Sequence, residues 1–196
     1  MRRIKLTEKN FEKIIAEALS TIKAGGVVVC PTDTVYGLMA DAANRGAVEK
    51  IFKIKQRRKN KLLPVFVPDI AVAKRLAHIS KKQEGVLKKC WPGKITVVLE
   101  RKPGIKLYGL DKKTIGLRVS GSGLVNYLLK KLKKPLVQTS VNISGEPSLN
   151  DPVEIIKEFE NRKYRPDLVV DAGPIKSAKS SLVIDLTKED DIKILR

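Results

Sequence analysis

The sequence is poor in the residues that most often carry chemistry: one histidine, two cysteines and one tryptophan in 196 positions. A Ser-His-Asp hydrolase or a histidine-rich metal site would have to be built on His78 alone. Cys30 and Cys90 lie far apart, which makes neither a disulfide framework nor a zinc ligand set. No apolar stretch approaches the ~18 residues of a membrane span. The opening Met1-Arg2-Arg3-Ile4-Lys5 leads into no signal-peptide core. The expectation is a cytoplasmic protein with reduced thiols and no membrane partner. Aromatics are also scarce, at 5%, in a chain that is 31% charged. Such a balance can mean disorder, but apolar runs alternate regularly with turn signals, which argues for a folded chain. Acidic residues are outnumbered, 21 against 40 Lys and Arg, for a net charge of +19. That excess favours polyanions. The densest basic run is Lys53, Lys55, Arg57, Arg58, Lys59 and Lys61; others are Lys130–Lys134 and Arg162–Arg165. RNA or nucleotide phosphate is the natural partner, held through backbone contacts because few aromatics are at hand for stacking.

What is present reads as one α/β domain over residues 1–196, a twisted mixed β-sheet flanked by helices. Phe11, Ile14, Ile15, Ala18, Leu19 and Ile22 recur at helical spacing, and Gly25-Gly26 ends the helix. Val27 to Cys30 is a short apolar strand of the doubly buried kind. Pro31-Thr32-Asp33-Thr34 then reads as a loop, followed by a helix from about Asn44 to Lys55. Further strands are expected at 62–67, 95–99, 115–119, 136–139, 168–170, 182–186 and 192–195. Asp69 caps a short helix that includes His78. Ser80 with Gln83 is a capping box for a helix reaching Cys90, and Asp151-Pro152 opens another. Ile192 and Ile194 alternate as an inward strand face that would pin Arg196 to the sheet.

Three motifs stand where open sheets bind ligands. Pro31-Thr32-Asp33-Thr34-Val35-Tyr36-Gly37 carries two hydroxyls and a phenol out of a buried strand; it also reads as a plain turn. Lys55-x-Arg57, with Lys61 close by, puts two cations on one side of an extended segment, as a triphosphate would require; it also reads as a solvated basic run. Ser140 and Asn142 share a side after a strand and can serve a phosphate, a ribose or a turn. There is no Walker loop and no dinucleotide fingerprint.

Taken together, these motifs resemble the YrdC/Sua5 family, the threonylcarbamoyl-adenylate synthases of tRNA modification. The likeness runs from Gly25-Gly26 through Ile51-Phe52, Trp91-Pro92-Gly93-Lys94, Thr114 to Val119, Thr139 to Gly145, Asp171-x-Gly173-Pro174, Ser181 to Asp185 and Ile194-Leu195-Arg196. The Lys-x-Arg and Ser-x-Asn pairs separate this family from its YciO-like paralogues. Departures fall at Arg58 and Ser120, where proline is usual, at Leu62, and at Leu182, where threonine is frequent. The resemblance implies a YrdC-like fold in a short, single-domain form. It implies a nucleotidyltransferase that makes threonylcarbamoyl-AMP and pyrophosphate from L-threonine, bicarbonate and ATP, with Mg2+ accompanying the ATP and no resident metal. Separate threonylcarbamoyl-transferase proteins and tRNA are the implied partners. Lys55, Arg57, Ser140 and Asn142 are the expected catalytic set. Lys61, Thr114 and Arg196 join them around ATP. Thr32, Thr34, Tyr36, Arg118 and Ser181 are expected around threonine. The rival expectation is a structured-RNA-binding protein without turnover.

Overall fold

The computed structural model describes residues 1–175, 179–188 and 191–196. Ten strands form one mixed sheet: β1 (Arg2–Lys5), β2 (Val28–Pro31), β3 (Tyr36–Asp41), β4 (Val65–Phe66), β5 (Ile95–Glu100), β6 (Thr114–Arg118), β7 (Leu136–Ser140), β8 (Leu168–Asp171), β9 (Leu182–Asp185) and β10 (Lys193–Ile194). Their order across the sheet is β1-β8-β2-β3-β7-β4-β6-β5-β9-β10. The helices are α1 (Phe11–Lys23), α2 (Arg45–Lys55), α3 (Ile70–Leu76), α4 (Lys81–Cys90), α5 (Gly123–Leu132) and α6 (Pro152–Phe159).

Two apolar layers hold the sheet. On one face Ile14, Ile15 and Ile22 of α1 and Val125, Leu128 and Leu129 of α5 pack on Val28, Met39, Leu136 and Val170. On the other face α2, α4 and α6 bury Ile51, Leu87 and Phe159 against Leu38, Val65, Val97 and Leu117. Alternation along each strand sorts the side chains between these layers. The helices α1 and α5 pack on strands β8, β2 and β3 and reach β7 and β4 only at Leu136 and Phe66. The rest of that face, over β7, β4, β6, β5 and β9, carries the cavity described below.

Helix caps follow the expected chemistry. Asn44, Asp69, Ser80, Ser122 and Asp151 each accept a backbone N–H of the first turn, and Ser80 with Gln83 forms the capping box. Several expectations need correction. The first residues form β1, paired in parallel with β8, where no strand was expected. Residues 36–41 form a strand, β3, buried along its whole length, between the loop read at 31–34 and the helix from about Asn44, where no strand was expected. The strand expected over 62–67 shrinks to Val65–Phe66. His78 lies beyond α3, its N–H donating to the Glu100 carbonyl. Ile192 and Ile194 face outward, 53% and 70% exposed, so they do not anchor the C-terminal strand. Backbone bonds between Val183 and residues 195 and 196 hold it instead.

Candidate active site

The uncovered part of the sheet is the floor of a bay of about 590 Å3. The register lays a row of five residues, four of them in strands and Pro64 just before β4. Gln138 of β7 donates its backbone N–H to the Pro64 carbonyl, Pro64 lies level with Gly116 of β6, Gly116 pairs with Val98 of β5, and Val98 pairs with Asp185 of β9. All five line the bay. To one side stand Arg118, Thr96 and Thr34, with Ser181 beside Thr96. To the other stand Ser140, Thr114 and Leu62. Arg57 and Arg196 are on its walls.

Arg118 ends β6 and is 1% exposed. Its Nη2 donates to Asp33 Oδ1 at 2.8 Å and its Nε to the Gly93 carbonyl at 2.8 Å, while Nη1 lies 3.4 Å from Thr34 Oγ1. The guanidinium also sits over the Phe66 ring, 5.2 Å from its centroid. Asp33 does more than turn the chain. Its carboxylate accepts from Arg118, from Ser120 Oγ at 2.5 Å and from the Gly121 N–H at 2.9 Å. Burial alone would raise its pKa, but the Ser120 hydroxyl, the Arg118 charge and the Gly121 N–H outweigh it and hold the carboxyl below 3.8. Ser120, one of the departures from the family pattern, thus supplies the shortest bond to Asp33.

The Lys55-x-Arg57 pair is not extended. Lys55 is the last residue of α2, Gln56 turns through the left-handed region with φ 50°, and the two cations diverge. Lys55 is 1% exposed. Its Nζ donates to the carbonyls of Ser140 (2.7 Å) and Asn142 (3.1 Å) and to Asn142 Oδ1 (2.6 Å). Burial, and then the Arg57 charge, draw its pKa down to about 7. The three oxygens act the other way, because a neutral amine would turn a lone pair toward one of them. Ser140 Oγ donates to the same Asn142 Oδ1, and Asn142 Nδ2 donates to the carbonyls of Ile143 and Glu146. Lys55 and Asn142 therefore lie behind the bay wall and fix the turn from which Ser140 faces in. Arg57 lines the bay, but its Nε and Nη2 donate to the carbonyls of Lys61 and Leu62. Lys61 enters through its carbonyl, and its side chain is exposed outside the lining.

Of the other expected residues, Thr34, Thr114, Arg118, Ser140, Ser181 and Arg196 line the bay. Arg196 Nη2 donates to the Ser181 carbonyl and lies 3.3 Å from its Oγ. The Arg196 charge, after burial, lowers the pKa of Arg57, and it also acts on Arg118, so three like charges converge on one space. Thr32 and Tyr36 do not reach it. Thr32 Oγ1 donates to the Val35 carbonyl and accepts the Thr34 and Val35 N–H groups, a closed turn. The Tyr36 hydroxyl donates to the Gly173 carbonyl and accepts the Ala172 N–H. Missed from the sequence were Asp33, Thr96, Asp185 and Gln138. Gln138 had a usable signal, because it continues the two-residue spacing of Ser140 and Asn142 backwards along β7. Among the described residues no group of three or more His, Cys, Asp or Glu side chains could hold a metal.

Comparison with known proteins agrees with this geometry. The profile of the Sua5/YciO/YrdC family, described as "Telomere recombination", matches residues 20–196. The threonylcarbamoyl-AMP synthase of Bos taurus is 32% identical over 194 residues, covering 95% of this chain and 68% of its own. Pyrococcus abyssi Sua5 superposes with a TM-score of 0.89 at 30% identity; this chain is covered completely and spans 57% of that one. The same Sua5, complexed with L-threonine, gives 0.85 at 28% identity. Escherichia coli YciO gives 0.86 at 27% identity, covering 100% of this chain and 93% of its own. A hydroxyl-lined bay on the open part of a ten-stranded mixed sheet, these matches along the chain and the Lys-x-Arg and Ser-x-Asn pairs agree: the chain belongs to the Sua5/YciO/YrdC family.

Proposed function

We propose that residues 1–196 act as one YrdC-like unit, a nucleotidyltransferase that makes threonylcarbamoyl-AMP from L-threonine, bicarbonate and ATP. The observation that carries this reading is the bay itself: three arginines converge on a floor edged with Thr34, Thr96, Thr114, Ser140 and Ser181. A protein that only gripped RNA would need the cations but not a concave, hydroxyl-lined space. The relatives named for this synthesis, one of them complexed with L-threonine, support the same choice.

In the proposed reaction the threonine amine and bicarbonate give a carbamate and water. A carbamate oxygen then bonds to the α-phosphorus of ATP as the bond to pyrophosphate breaks. The protein's part is placement and charge. Arg118, fixed by Asp33, presents its Nη1 edge toward Thr34 and suits an amino-acid carboxylate. Arg57 and Arg196, on the walls of the bay, would offset the charge that builds on the departing pyrophosphate. Mg2+ held chiefly by the triphosphate needs few protein ligands, which fits this site. The product would pass to a separate transferase acting on tRNA.

The test is pyrophosphate release from ATP with bicarbonate present, run with threonine and with serine. Threonine-dependent release supports the synthase. No release with either amino acid overturns it and leaves the RNA-binding reading, for which the net charge of +19 is the basis.

A further inference from the structure

We infer that Gln138 reads the carbamoyl group at the centre of the bay, its side-chain amide pairing with the N–H and C=O of the carbamate. This rests on the synthase reading and names a residue that reading does not need.

Gln138 is 6% exposed and lines the bay, yet among the described residues its side-chain amide makes no hydrogen bond; only its backbone N–H is engaged, with Pro64. Its polar neighbours are committed: Arg118 to Asp33, and Ser140 to Asn142. The amide is not sealed off: among the described residues the side-chain polar atom buried without a partner is Asn126 Oδ1, so the Gln138 amide opens onto the bay with its donors and acceptor available to a ligand there. The fold also makes room for it. A Cβ on Gly37 of the neighbouring β3 would lie 2.5 Å from Gln138 Nε2. Any larger residue at 37 would drive this amide away, so the two positions are matched.

Its place on the floor selects the ligand. Two residues along β7 is about 7 Å. Gln138 therefore lies one such step from Ser140, on the nucleotide side, and one step from the level of Leu136, which shares with Arg118 a pairing to Phe66. The group that joins amino acid to nucleotide falls between those ends. A carbamate presents an N–H donor beside a C=O acceptor, and a primary amide presents the complementary edge. A cation at this position would compete for the triphosphate, and a carboxylate would repel the carbamate.

The experiment is pyrophosphate release by Gln138→Leu, Gln138→Ala and Gln138→Glu, varying each substrate in turn, with threonine binding by calorimetry and a thermal melt for each protein. Leu keeps the volume, Ala removes it, and Glu keeps the shape while adding charge. The expected result is a bicarbonate KM raised about tenfold in Leu and Ala and further in Glu, with threonine Kd within about twofold and melting temperature unchanged. A bicarbonate KM unchanged in Leu and Ala overturns the inference. So does a shift confined to ATP, which would mean that the amide reads the adenine edge. Failure of wild-type protein to release pyrophosphate removes the synthase reading and this inference with it. An active wild type with indifferent variants removes only the role of Gln138.

Discussion

At the residue scale the arrangement turns on Asp33. It binds Arg118, Ser120 and Gly121 together and so joins the β2–β3 turn to the start of α5. Its neighbours hold its pKa below 3.8, so folding gains from its ionised form above that value and loses the gain as pH falls through the lower folded value. Asp33→Asn removes this contribution. Urea unfolding between pH 3 and 6 should show a shallower loss of stability in acid for Asp33→Asn than for wild type. At pH 7 the substitution should cost about 3 kcal/mol, because Arg118 stays buried with its charge partner gone. A variant as stable as wild type at pH 7 would mean that the Gly93 carbonyl suffices for Arg118. The sequence showed the Pro-Thr-Asp-Thr motif but not which members face inward. Thr32 and Asp33 are both ordinary turn residues, and only the arrival of Arg118 and Ser120, 85 and 87 positions later, distinguishes them.

At the element scale the end of α2 positions the Ser140 wall. The Lys55 ammonium holds the carbonyls of residues 140 and 142, and the Ser144 N–H donates back to the Lys55 carbonyl. Lys55→Met should fill much of the same space but leave those oxygens unpaired. A loss of about 2 kcal/mol is expected, with faster hydrogen exchange at the Ser144 amide and reduced turnover. Unchanged exchange at that amide would place the turn's stability elsewhere. Helices were legible because their periodicity and caps are local: Ser80-Gln83 and Asp151-Pro152 both hold. The strands β1 and β3 were not. The core strand β3, buried on both faces, shows no alternation, and its Gly37 resembles a turn signal while serving to admit Gln138. The strand β1 is mostly exposed and basic, so nothing apolar marks it. At β10 the alternation of Ile192 and Ile194 was real but faces outward, since spacing fixes a shared side and not which side. Arg196 still reaches the bay. Arg196→Ala should weaken ATP binding severalfold by removing one charged donor, with little change in melting temperature because its backbone bonds to Val183 remain. Equal ATP affinity in the two proteins would assign Arg196 to Ser181 alone.

Across the whole molecule, charge is spread unevenly between the bay and the outer surface. Inside, the Arg196 charge bears on both Arg57 and Arg118, and Asp33 offsets part of it at Arg118. Outside, Lys53 and Lys163 lie over the half-exposed Tyr164 ring, 5.1 and 5.7 Å from its centroid, and Lys131 lies over Tyr127 at 5.2 Å. Lys53 and Tyr164 bring together two basic runs that are more than a hundred residues apart in sequence. Tyr164 and Tyr127 are thus set among cations, where a nucleic-acid strand meets a charge beside an aromatic ring. Structured RNA should bind here through phosphate, with affinity falling steeply with salt at a log–log slope of about −0.9 for each phosphate neutralised on a duplex. Replacing Lys53 and Lys163 together by Gln should lower that slope by about two contacts and leave pyrophosphate release with saturating small substrates unchanged. Filter binding from low to moderate salt measures the first, and the release assay the second. An unaltered slope in the double variant would move the RNA surface away from Tyr164, and a matching loss of turnover would tie those lysines to the bay.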